Sequence, residues 1–213
     1  MNILHIDCSP RPDSHSRKLS AAIVEKLLAL YPFSNITRRD LGYEPIPHAG
    51  PGYAAVLASP ASLAAAGPWS DSLRLSERLI EEVEGADVIV VGTPMHNFTV
   101  PSVLKAWIDQ VLRVGRTIKI TPAGKVGILQ DRPVFIGVAS GGVFTGDGAN
   151  QPDFLTPYLS AALGCIGLNA VHYLPVQATA FTDDASVAEV RRALVETIEP
   201  ALAASRRGPL HTR

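Results

Sequence analysis

Thr93-Pro-Met-His-Asn-Phe-Thr-Val-Pro-Ser-Val-Leu-Lys-Ala-Trp-Ile-Asp109 carries the chain from a buried strand, through a polar loop, into an amphipathic helix. The segment before it, Asp87-Val-Ile-Val-Val-Gly92, is a short unbroken β-branched run, the pattern of a central strand covered on both faces. Pro101 suits the first helical position and Thr99 lies close enough to cap it. Val103, Leu104, Trp107, Ile108, Val111 and Leu112 then recur at helical spacing. The loop from Thr93 to Thr99 is therefore expected at the carboxyl end of a parallel strand, above the crevice where open α/β sheets hold ligands.

Outward from this stretch, strands and helices alternate. Asn2–Ile6 reads as the first strand, and Ser16 to Leu30 as a helix with Leu19, Ile23, Leu27 and Leu30 along one face. Ile36–Leu41 reads as a second strand, near an edge because Arg38, Arg39 and Asp40 crowd it. Residues 44–70 hold five prolines and many alanines, an excursion with short helical turns rather than a linker or one long helix. A helix from Ser72 to Val83 leads into the third strand. Thr117–Ile120 and Lys125–Leu129, around Thr121-Pro-Ala-Gly124, form a hairpin or flap at about 116–130. Pro133–Ala139 is the fourth strand, Leu155–Ile166 a helix, Ala170–Leu174 the fifth strand and Val187–Ala204 the closing helix. Five strands with right-handed crossovers predict a doubly wound parallel sheet in the order 2-1-3-4-5, with helices on both faces.

The 213 residues, 46% of them hydrophobic, suffice for one well-filled core, and a single domain over 1–213 is expected. A net charge of -1 and a pI near 6.6 leave no basic footprint for nucleic acid or an anionic membrane surface. No stretch approaches the roughly 20 apolar residues that span a bilayer, and the amino-terminal strand does not read as a signal peptide. Two cysteines are too few for a disulfide framework, which points to a reduced, cytoplasmic protein.

Three loops meet at the carboxyl edge of the predicted sheet. The first, Cys8-Ser-Pro-Arg-Pro-Asp-Ser-His-Ser-Arg17, brings the hydroxyls of Ser9, Ser14 and Ser16 to a helix N-terminus, an anion site; Ser14 or Ser16 would equally serve as a plain helix cap. It contains neither Gly-x-Gly-x-x-Gly nor Gly-Lys-Ser/Thr. Phosphatases with a thiolate nucleophile need an arginine six residues after the cysteine, and here that position is Ser14, so Cys8 reads as a small buried hydrophobe. The second loop carries Met95, Asn97 and Phe98. The third, Ala139-Ser-Gly-Gly-Val-Phe-Thr-Gly-Asp-Gly148, lets a backbone approach a flat ligand. Together they suit a flavin mononucleotide (FMN) lying across the strand ends. No metal-ligand pattern accompanies them.

Pro94-Met-His-Asn-Phe98, Val100-Pro-Ser-Val-Leu-Lys-Ala-Trp-Ile-Asp109, Ser9 with Ser14-His-Ser16, Gly141-Gly142, and Thr156-Pro-Tyr-Leu-Ser160 with Leu163-Gly164 and Ile166-Gly167 resemble the FMN-dependent NADH-azoreductases, also called FMN-dependent NADH:quinone oxidoreductases. The resemblance covers nearly the whole chain. It implies a flavodoxin-like fold, a homodimer with one FMN per subunit near the interface, and two-electron transfer from NADH or NADPH to quinones or aromatic azo compounds. Carried over, Ser9, Ser14, His15 and Ser16 would hold the phosphate. Met95, His96, Asn97 and Phe98 would flank the ring, and Ala139, Ser140, Gly141 and Gly142 would meet its other polar edge. Hydride would pass to the flavin N5 and on to an acceptor stacked in the same place, with no dedicated side-chain acid or base. The family often has glutamine at His15, tyrosine at His96 and a Ser-Arg pair at Ala139-Ser140, so nicotinamide preference and substrate range are where this chain departs. His15 and His96 also read as solvated loop residues. Phe98, Phe144, Tyr53 or Trp69 would supply apolar walls, although core packing accounts for them as well. A flavodoxin-type electron carrier or a flavin-based redox sensor is the alternative; the near-neutral charge and the 44–70 excursion favour catalysis. Tyr53, Val56, Leu57, Leu63 and Trp69, with Ile118 and Ile120, are apolar matter that a lone sheet does not need, and are expected to border a twofold interface.

Overall fold

The computed structural model describes residues 1–59, 62, 65 and 70–206. Five parallel strands form the central sheet: β1 (Asn2–Asp7), β2 (Asn35–Asp40), β3 (Val88–Pro94), β6 (Val134–Ala139) and β7 (Val171–Val176), in the order β2-β1-β3-β6-β7. The antiparallel pair β4 (Ile118–Thr121) and β5 (Gly124–Gly127) stands apart from it. Leaving that hairpin aside, the topology is the predicted 2-1-3-4-5.

The period-two alternation of each strand feeds two apolar layers. Leu4, Ile6, Ile89, Val91, Ile136 and Val138 face one way, onto α3 (Arg74–Glu84), α4 (Ser102–Val111) and α5 (Thr156–Ile166). Ile3, Val88, Val90, Phe135, Leu174 and Val176 face the other way, onto α1 (His15–Leu30), α6 (Asp184–Glu196) and α7 (Ile198–Arg206). Because both faces are covered, β3 can be apolar throughout without alternating. The exposed and half-exposed residues of β2 match its place at the edge.

Helix α1 lies close against β3 because Gly92 has no side chain. A Cβ there would stand 2.7 Å from Ser20 Cβ and 2.8 Å from the carbonyl oxygen of Ser16. Contact with backbone leaves little room to yield, so this glycine sets the height of the first turn of α1 relative to the strand ends.

Three local expectations are corrected. Pro101 is the N-cap of α4 rather than its first helical residue, and Thr99 is not the cap. Thr99 instead pairs with His96 through two backbone hydrogen bonds, and its hydroxyl donates to the carbonyl of Phe154 at 3.4 Å. The closing helix over 187–204 is two helices parted at Thr197: Pro200 can give no N–H to the carbonyl of Glu196, and its ring crowds that carbonyl. Within the excursion, α2 (Pro51–Leu57) turns Tyr53 into the protein, 6% exposed, with its hydroxyl donating to the carbonyl of Asp109 at 3.1 Å. Tyr53 and Ile118 are therefore core of the single chain; Leu63 and Trp69 lie outside the described residues.

Candidate functional site

At the carboxyl edge of the sheet the loops enclose a cavity of about 380 Å³. Its first wall is the turn after β1 and the start of α1. Ser14 is the N-cap of α1, with extended backbone and an Oγ that accepts from the Arg17 amide at 3.3 Å, as its capping reading requires, and it also lines the cavity. Ser16, wholly buried, places its Oγ 3.2 Å from that of Ser14. Ser9, 3% exposed, accepts at its Oγ from the Arg11 amide at 3.2 Å. No acidic residue stands in the first turn of α1, so its positive dipole end is left uncompensated, and the first-turn amides have no intrahelical acceptor.

His15 opens α1 and lines the same wall. Its Nδ1 is buried with no hydrogen-bond partner among the described residues, and its Nε2 lies 4.0 Å from Asp184 Oδ1. Burial, then the charge of Lys18, pulls its pKa below the usual histidine value, against the pull of Asp184.

Pro94, Met95 and His96 supply the second wall, with the Met95 amide tied to the carbonyl of Ala139 at 2.8 Å. The next two residues turn sharply. Asn97 (φ 48°) and Phe98 (φ 71°) both occupy the left-handed region, closed by the paired His96 and Thr99. Asparagine tolerates this conformation, whereas in phenylalanine it stores strain on the order of 1–3 kcal/mol. Asn97 and Phe98 are exposed beside the cavity and do not line it.

Ala139 and Gly141 form the third wall. Ser140 and Gly142 sit behind it. Ser140 is 3% exposed, and its Oγ accepts from Gln151 Nε2 at 2.8 Å, which also lies 3.1 Å from Met95 Sδ. Phe144 is core rather than wall. The fourth wall, Thr179 and Ala180 after β7, escaped the sequence reading. Its backbone is bound to the glycine loop: the Ala178 amide donates to the Gly142 carbonyl at 3.0 Å, and the Thr179 amide to that of Ser140 at 3.0 Å. The signal was available, since a fifth strand in this order must also end at the ligand edge. Cys8 lies outside the cavity, fully buried, and burial pushes its thiol far above the usual range, which removes the nucleophile reading.

A family described as having a flavodoxin-like fold matches residues 1–198. The chain is 44% identical over 198 residues to FMN-dependent NADH:quinone oxidoreductase 4 of Pseudomonas fluorescens, covering 91% of this chain and 93% of that protein. The chain belongs to the FMN-dependent NADH:quinone oxidoreductase family. A second member, FMN-dependent NADH:quinone oxidoreductase 5 of Burkholderia lata, is 44% identical over 201 residues, 92% of this chain and 94% of its own. The solved structure of an FMN-dependent NADH-azoreductase from Bacillus anthracis in complex with FMN superimposes with a TM-score of 0.77 at 22% identity, over 94% of this chain and 99% of that one, a likeness of fold. Within the family's fold, the cavity described above lies where doubly wound sheets take their ligand.

Proposed function

We propose that this family member is an FMN-dependent oxidoreductase that passes two electrons from NADH to quinones and aromatic azo compounds. The observation that carries the reading is the convergence on one cavity of an uncompensated helix N-terminus ringed by Ser9, Ser14 and Ser16 with two backbone-rich loops. The donor set fits a phosphate: hydroxyls and first-turn amides gain by meeting an anion, as does the unpartnered His15 Nδ1 when it carries the ring proton. Met95, Ala139 and Gly141 fit a flat ring, being slender or absent as side chains. Bound FMN supplies the acceptance and return of a hydride at N5 of its ring.

The chain's residues bind and orient. Ser9, Ser14, His15 and Ser16 hold the phosphate. Met95, His96 and the strained Asn97–Phe98 turn flank the ring on one side. Ala139, Ser140, Gly141 and Gly142 would meet its other polar edge, and the amides of Gly141 and Gly142 would stabilise negative charge on its pyrimidine side. Thr179 and Ala180 close the cavity next to them. Arg11, His15 and His96 are the titratable side chains among the lining residues, and none is required to move a proton.

A single stacking place serves donor and acceptor in turn, so a ping-pong scheme follows. Double-reciprocal plots of NADH oxidation at several quinone concentrations should be parallel, and intersecting lines would contradict the scheme. Purified protein should be yellow and should release FMN rather than FAD on heating.

The reading includes a cytoplasmic homodimer. Phe98, Val114, Ile120, Val126, Ile128 and Phe154 are all more than 40% exposed, and a monomer would leave them to water. A twofold interface on the order of 2,000 Å² would cover such a surface. Light scattering should give twice the 22.6 kDa chain mass. A monomer that keeps FMN and full quinone reductase activity at nanomolar protein would refute it. No helix among the described residues is long and apolar enough to cross a membrane.

A further inference from the structure

Arg17 is the arginine next in sequence to the serines of the cavity, yet it does not line the cavity. Its side chain, 8% exposed, turns to the back of the loop. There Nε and Nη2 both donate to the carbonyl oxygen of Ser9, at 2.8 and 2.6 Å. Nη1 and Nη2 donate to the two carboxylate oxygens of Asp40, at 2.8 and 2.6 Å, and Nη1 lies 3.5 Å from Asp7 Oδ2. The ring of Tyr43 covers the guanidinium at 4.2 Å, and the Tyr43 amide donates to Asp40 at 3.1 Å. Ser20 donates to Asp7 at 2.7 Å, Arg38 reaches the same carboxylate at 3.0 Å, and His5 Nε2 lies 3.4 Å from it. The charge of Arg17 is thus spent on Asp40 and Asp7, and what it delivers to the cavity passes through the Ser9 backbone.

The turn after β2 closes on the same carbonyl. A Cβ at Gly42 would collide with the Ser9 oxygen and stand 2.8 Å from Arg17 Nη2. Residues 8–14 have no regular structure of their own, and a carbonyl turned into the cavity would repel an anion there. Two charge-assisted bonds from one planar fork to one acceptor decide which way it points.

We propose that Arg17 is a positioning residue for the anion-binding loop: it draws the Ser9 carbonyl back against the turn after β2 and so keeps the Ser9 hydroxyl and its neighbouring amides in the arrangement that receives a phosphate. This rests on the FMN reading of the cavity. Gly42 is the second half of the same device, because only a bare backbone lets that turn reach the carbonyl. Lysine at 17 would keep the charge beside Asp40 but not the fork.

The test is titration of flavin-free protein with FMN and with riboflavin, followed by quenching of flavin fluorescence, together with thermal midpoints. Arg17→Met should weaken FMN at least tenfold while riboflavin, which has no phosphate, changes less than threefold. Gly42→Ala should shift the FMN-to-riboflavin ratio in the same direction, and Arg17→Lys should recover part of it. Equal weakening of both ligands in these variants, or an unchanged ratio, would overturn the proposal by reducing Arg17 to a purely structural group. Should Arg17→Met not fold, Arg17→Lys and Gly42→Ala decide by the same ratio. A wild-type protein that binds riboflavin as tightly as FMN would instead bring down the phosphate reading of the cavity, and this proposal with it.

Discussion

Ser16→Asp is expected to weaken FMN binding well over tenfold while riboflavin binding changes little. Ser16 is fully buried, lines the cavity and stands 3.2 Å from the Ser14 hydroxyl. A carboxylate in its place would face a phosphate across a few ångströms. Two unit charges about 4 Å apart repel by roughly 4 kcal/mol at an effective dielectric constant near 20, and each 1.4 kcal/mol or so is tenfold in affinity. The substitution places a negative charge in the first turn of α1, where the helix dipole tolerates it, so the fold should survive. Isothermal titration of flavin-free protein with both ligands measures the difference. If FMN and riboflavin weaken alike, the loop does not read phosphate, whatever else the cavity binds.

Glu77→Ala should cost about 3–5 kcal/mol of stability, the amount associated with leaving one charge of a buried pair without its partner. Glu77 and Arg113 are each 3% exposed and form an ion pair, and Arg116 Nε donates to the other Glu77 oxygen at 2.9 Å. Arg113 also donates to Ser76 at 3.0 Å, and Ser76 to the carbonyl of Gln110 at 2.6 Å. The cluster ties α3 to the last turn of α4 and, through the Arg113 amide and Thr117 hydroxyl at 3.0 Å, to the start of the hairpin. Alanine at 77 leaves the Arg113 guanidinium buried and uncompensated. Apolar residues at both positions, as in Glu77→Leu with Arg113→Met, remove that penalty and should restore most of the loss. Urea unfolding of flavin-free protein at fixed concentration separates the two variants. A single-variant loss below about 1 kcal/mol would show that water or relaxation already screens the pair.

Much of the fold was legible because its signals are local. A β-branched run such as Val88-Ile-Val-Val91 has few conformations open to it other than a strand, and the spacing of Leu19, Ile23 and Leu27 lines up only on a helix. Given five such strands separated by helices, crossover handedness leaves few sheet orders, and the observed order is among them. The cavity's serines and Gly141 were legible for a related reason. Hydroxyls at a helix start and glycines at a strand end announce themselves by residue type, and the topology brings strand ends to one edge. Even the break before α7 stood in the sequence, in Pro200, although helical periodicity outweighed it.

By itself, then, the sequence determined most of the strand and helix segments, their order in the sheet, the family, and the loops that meet at the carboxyl edge of the sheet. Tertiary structure alone decided which way each side chain in those loops turns. Ser16 and Arg17 are neighbours on one helix, and successive helical residues point about 100° apart. That step sends one into the cavity and the other to the back of the loop, and only the nearby end of β2, bringing Asp40, Gly42 and Tyr43, makes the back of the loop the place where a guanidinium is satisfied. Thr179 and Ala180 reach the cavity because β7 pairs with β6, a contact between segments more than thirty residues apart. Tyr53 could have faced solvent, ligand or core, and an acceptor on Asp109 drew it inward. Each outcome depends on partners brought together by folding, and residue type and local spacing hold no record of them.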